Sequence, residues 1–77
     1  MTTSLAEMKT KQQGMVVEFS GGGGMRRQLE AMGVRPGVTI TKRSGQPLHG
    51  PVTLQVGRSE VAVGYRIASR IMVEVAE

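Results

Sequence analysis

The sequence predicts an all-β fold, a small barrel of about five strands with one short helix inserted, and three observations carry that expectation. Apolar residues alternate with polar ones over several short stretches, the two-residue period of a strand with one buried face. Glycine- and proline-bearing turns separate the stretches. One segment, 25–32, breaks the period and carries Met25, Leu29 and Met32 at helical spacing. Seventy-seven residues suffice for a single domain, 1–77, that buries about 60% of its unfolded surface. With so little chain, strands that each have one apolar face must form a sheet curled around its own core.

Taken in order, Ser4 and Glu7 have capping-box spacing around Leu5 and Met8, which predicts a helical turn lidding one end of the core, followed by a loop over 9–13. Met15, Val17 and Phe19 then alternate with Val16 and Glu18, as in a half-buried strand. Four glycines, 21–24, lead into the helix as a pliant turn. In that helix Met25, Leu29 and Met32 share an inward face, leaving Arg26, Arg27, Gln28 and Glu30 elsewhere. Gly33 suits the left-handed conformation that ends a helix. Pro36 forbids continuation and drives Arg35 toward extended geometry, and Gly37 lets the chain reverse.

The strand period then resumes. Val38 and Ile40 alternate with Thr39 and Thr41, and Val52, Leu54 and Val56 alternate with Thr53 and Gln55. Val61 and Val63 continue it, and Ile71, Val73 and Val75 return to it with Glu74 facing out. Pro47 and Pro51 keep the loop 44–51 out of the ladder, residues 57–59 suit a hairpin, and residues 65–70 suit one helical turn. The economical architecture is an SH3-like barrel with the helix inserted after the first long strand.

Several of these residues together resemble the FeoA family, small cytoplasmic proteins associated with bacterial ferrous iron transport. Leu29, Met32, Gly33, Pro36 and Gly37 are similar to its Leu-x-x-Leu-Gly-x-x-Pro-Gly signature. Pro47, Leu48, Gly50 and Pro51 resemble its Pro-Leu-x-Gly-Pro turn, and Val61, Ala68 and Ile71 resemble its closing segment, in a match that runs from Leu5 to Val75. The chain departs from the family at Thr10 and Lys11, where a Pro-Gly turn is common, and at Gly64 and Ile67, where an arginine and a glutamate are common. The resemblance implies the same SH3-like fold and a non-enzymatic accessory protein. Its implied partner is the FeoB-type membrane iron transporter, at that protein's cytoplasmic GTP-binding region.

Composition bounds the chemistry. There is no cysteine, which removes disulfides, thiolate metal sites and cysteine nucleophiles. Residues 1–7 lack the basic and apolar regions of a signal peptide, and no apolar run approaches the ~18 residues of a membrane span, so the expected location is the cytoplasm. The net charge of +4 attracts phosphates, but the basic residues are dispersed and the aromatics reduce to Phe19 and Tyr65, so no nucleic-acid partner is expected. His49, the one histidine, has no carboxylate near it in sequence, and the six glutamates are scattered, which leaves acid-base catalysis no footing. The glycine run lacks the Gly-Lys-Ser/Thr ending of a phosphate-binding loop. Iron(II) favours several converging imidazole and carboxylate ligands, so no tightly bound cofactor is expected and His49 is a candidate only for weak iron(II) or zinc(II) binding.

An interaction module remains, as a monomer or a weak homodimer joined at strand edges. The expected contact residues are Arg26, Arg27, Glu30 and Arg35 beside the helix and Leu48 and His49 in the loop. Two alternatives accompany this reading: a free-standing regulatory module like the SH3-like domain appended to metal-dependent repressors, and a basic nucleic-acid binder.

Overall fold

The backbone of this computed structural model is described at residues 1–21, 23–45 and 50–76. Six strands form one antiparallel sheet: β1 (Thr2–Ser4), β2 (Gln13–Phe19), β3 (Thr39–Gly45), β4 (Val52–Val56), β5 (Ser59–Val63) and β6 (Ile71–Val75), in spatial order β1-β6-β2-β3-β4-β5. A 3-10 turn (Leu5–Glu7) follows β1, helix α1 (Gly23–Ala31) links β2 to β3, and the one-turn helix α2 (Tyr65–Ala68) precedes β6. Six flat strands would make a slab about 10 Å thick. The molecule instead measures 26 × 26 × 24 Å, so the sheet is curled, as expected of an SH3-like barrel.

Strands β4, β5 and β6 bury most of the residues their alternation selects, Val52 and Leu54, Val61 and Val63, and Ile71, Val73 and Val75, while Val56 at the end of β4 is half-buried against the core. Leu5 and Met8 close one end. Ser4 Oγ accepts the Glu7 N–H at 3.2 Å, one of the two bonds of the capping box the sequence suggests. Strand β1 was not anticipated, because three residues without apolar alternation leave no strand signal.

Strand β2 reverses the expectation for its face. The inward residue is Val16, fully buried, whereas Met15 is 44% and Val17 37% exposed. Two features explain the reversal. Gly14 also faces inward, where a Cβ would run into Val73 Cγ1 and lie 2.8 Å from Val75 Cγ1, so a core position carries no apolar side chain to be counted. A β-bulge between Val16 and Glu18 then inserts Val17 as an extra residue, shifting the phase so that Phe19 returns to the core side.

The helix corner largely follows its sequence. Leu29 is 1% exposed and Met25 packs on the core. Gly33 (φ 90°) donates to the Glu30 carbonyl at 3.0 Å and Val34 donates to the Leu29 carbonyl at 2.9 Å, the bond pair of a Schellman motif. Val34, fully buried, thereby takes the inward position that spacing assigned to Met32, which lies in the turn beyond α1 and is 39% exposed. Val38 donates to the Arg35 carbonyl at 3.2 Å across Pro36 and Gly37 (φ 92°), a type II turn. Gly37 donates to the Val16 carbonyl at 2.8 Å, which ties this turn to β2.

Candidate functional site

The side chains singled out for partner binding divide into three groups. On α1, with Leu29 turned inward, Arg26, Arg27 and Gln28 face solvent. Arg26 Nε donates to Glu30 Oε2 at 3.2 Å across one helical turn, so these two partly neutralise each other while Arg27 makes no such pair among the described residues. Arg35 is exposed in the type II turn just past the helix. Leu48 and His49 lie outside the described residues.

Lys42 departs from the solvated place usual for a lysine. It stands on β3 in phase with Ile40 and is 6% exposed. Its ammonium reaches the 3-10 turn, donating to the Ala6 carbonyl at 2.9 Å and the Met8 carbonyl at 2.7 Å. Burial lowers the Lys42 pKa from its ordinary 10.5, and the Glu7 carboxylate partly opposes that effect. The backbone of the same residue is doubly held: Lys42 N–H donates to Gln12 and Lys11 N–H donates to Lys42. Its position one strand period after Ile40 was the available signal, masked by the ordinary association of charge with surface.

Two further carboxylates serve local structure. Glu74 accepts from the Met1 amine and from Thr2 Oγ1, which lowers its pKa, the hydrogen bond from the amine contributing most. Glu60 lies 3.8 Å from Arg43 Nε. Among the described residues no three histidine, cysteine, aspartate or glutamate side chains converge as metal ligands, and the surface shows no pocket. No described helix is long and apolar enough to cross a membrane. What the described surface presents is guanidinium groups, methionines and turns on a compact barrel.

Three comparisons bear on what kind of protein this is. The family model of the FeoA domain matches residues 3–75. A crystal structure of an iron uptake regulatory protein, FeoA, superposes with a TM-score of 0.88 at 38% identity, covering 96% of this chain and 97% of that one. The solution structure of a FeoA protein from Chlorobium tepidum gives 0.87 at 20% identity, over 97% and 71% of the two chains. A manganese-dependent transcriptional repressor gives 0.89 at 17% identity, with 97% of this chain covering 42% of the repressor, a likeness of fold alone. No curated protein matches the sequence. With the domain spanning nearly all of the chain, and a solved FeoA matched from end to end, this protein belongs to the FeoA family.

Proposed function

We propose that this chain is a non-enzymatic accessory or regulatory protein of ferrous iron uptake, acting in the cytoplasm by binding the cytoplasmic GTP-binding region of a FeoB-type membrane iron transporter. The observation that carries the reading is the end-to-end match to an iron uptake regulatory protein at 38% identity. The surface supports a binding role: its arginines are displayed on a helix and on tight turns, which a compact barrel holds in fixed positions. Its described carboxylates stand apart, several of them engaged with cationic neighbours, which fits a protein that breaks no bond itself. Any transition metal ion, iron(II) or zinc(II), is bound weakly, with His49 as the candidate ligand.

The fold likeness to the manganese-dependent repressor favours a second reading, a free-standing regulatory module of the same shape. At 17% identity that likeness carries no function across, so it stands second. A pull-down from iron-limited cells tests the choice. Recovery of the transporter supports the first reading, and recovery of nucleic acid or of a repressor in its place overturns it.

A further inference from the structure

The sheet ends in two edges, β1 and β5, and they are finished differently. Strand β1 has three residues, and the 3-10 turn after it folds back on its end, the Met8 N–H donating to the Ser4 carbonyl. Strand β5 has five residues and pairs with β4 in unbroken register, whereas register shifts interrupt the β2–β6 and β3–β4 seams. The two-residue turn at Gly57 (φ 57°) and Arg58 makes Val56 and Ser59 the first bonded pair of that hairpin. Bonding alternates from there, so Ser59, Val61 and Val63 bond to β4 while the backbone N–H and C=O of Glu60 and Ala62 point away from the sheet. Neither of those N–H groups has a partner among the described residues. An open edge is normally blunted by proline, lysine or a bulge, and β5 carries none of these. Its valines are also the least covered of the buried apolar residues: Val61 is 8% and Val63 5% exposed, the others 3% or less.

We propose that the β5 edge is a homodimer seam, which takes β5 of a second copy antiparallel about a two-fold axis at Val61. In that register each Glu60 N–H donates to the Ala62 carbonyl of the other copy, and each Ala62 N–H to the Glu60 carbonyl of the other copy. The outward backbone groups of both residues are then satisfied. The faces agree as well. Val61 meets Val61 on the core side and completes the cover these valines lack, while on the outer side the small Ala62 leaves room for the Glu60 side chain opposite. A second copy is favoured over an unrelated strand because its length, register and facing match by symmetry, and an isologous contact closes on itself instead of growing into a fibre. The two Glu60 carboxylates lie diagonally across the seam, each with its own Arg43 Nε at 3.8 Å, so the join is weak and added salt strengthens it. Binding to the transporter is not required for it.

Sedimentation equilibrium of the wild-type protein should show a reversible dimer with a Kd of about 0.1–1 mM, as suits a small seam. Two variants of Ala62 test the register, with melting temperatures recorded to show that the barrel is intact. Ala62→Lys sets a cation opposite Glu60 of the other copy and should tighten the dimer several-fold, and Ala62→Glu sets like charges opposite and should weaken it. Net charge alone, +4 in each copy, predicts the reverse order. The chain has no cysteine, so a single introduced one reports the seam directly. Opposed residues in the non-bonded phase of an antiparallel ladder have Cα atoms about 4.5 Å apart, within disulfide range. Val61→Cys should therefore link to its copy under mild oxidation, whereas Ala62→Cys, more exposed but facing Glu60, should link more slowly. A wild-type protein that stays monomeric across that concentration range overturns the proposal, as do the reverse charge order or faster linking at Ala62. Monomeric protein whose binding to the transporter's cytoplasmic region is lost in Ala62→Pro, which removes only an outward N–H, would overturn the homodimer and give the edge to a strand of that partner.

Discussion

Replacing Lys42 by methionine isolates the one buried cation of the described residues. Methionine keeps the stem's length and apolar character but donates nothing, so the carbonyls of Ala6 and Met8 lose their ammonium donor. A hydrogen bond to a charged group contributes roughly 1.5–3 kcal/mol, and two are lost, while the cost of holding an ammonium at 6% exposure is removed. The net expectation for Lys42→Met is a loss of about 1–3 kcal/mol, which in a domain of this size lowers the melting temperature by about 4–8 °C per kcal/mol. Burial holds the native pKa of Lys42 below 10.5, so between that lowered value and 10.5 the unfolded chain binds the proton more firmly than the native one. Wild-type stability therefore gains from Lys42 as pH rises through that window, and the variant lacks the gain. Urea titrations of both proteins from pH 7 to pH 10.5 should show the gap widening with pH, other groups cancelling in the difference. Amide exchange should quicken at Lys11, whose N–H is bonded to Lys42. Equal melting temperatures at pH 7, or a gap that narrows with pH, would refute the assigned role of the amine.

Further expectations concern the core and the metal. Leu29→Ala should cost about 2–5 kcal/mol in chemical denaturation, whereas Met32→Ala, at a half-exposed position, should cost under about 1 kcal/mol. Gly14→Ala adds a methyl that Val73, Val75 and the Glu74 carbonyl leave no room for, and should destabilise by about 1–3 kcal/mol or more, read in the same titration. Gly33→Val should lower the melting temperature because a β-branched residue resists φ near 90°. Isolated protein should bind iron(II) or zinc(II) weakly in calorimetry; submicromolar one-to-one binding that survives His49→Ala would contradict that.

Much of this fold is written in period and punctuation. Strand β4 sets Thr53 and Gln55 between its apolar residues, and β5 and β6 repeat their branched residues at every second position, so the buried face declares itself, and Gly33, Pro36 and Gly37 occupy the backbone positions that need them. Strand β2 misleads because two adjacent valines straddle a bulge and its other inward residue is glycine. The exposed position of Met32 depends on the Schellman turn handing its place to Val34, a tertiary outcome that spacing alone does not contain. Arg26, Arg27, Glu30 and Arg35 were legible as side chains outside the core, since charged positions opposite Leu29 have nowhere else to go. The exposure of Met15, Val17 and Met32 was not legible, because all three read as interior residues until the backbone turns them out.

The pairing of β1 with β6 has a consequence for synthesis. Thr2, Thr3 and Ser4 are aligned with Glu74, Val73 and Met72, so β1 pairs with a strand about seventy residues further along the chain. Strand β6 also lies along β2, which means two of the sheet's seams wait for the same few residues. While the ribosome still holds β6, β2 to β5 can pair in order through β3 and β4, but the 3-10 turn and β1 have no edge to dock on. Closing a loop of nearly the whole chain carries only a modest entropic surcharge, since that cost grows as the logarithm of length. Both seams thus close only once β6 has emerged, and a ribosome stalled within β6 would leave them open.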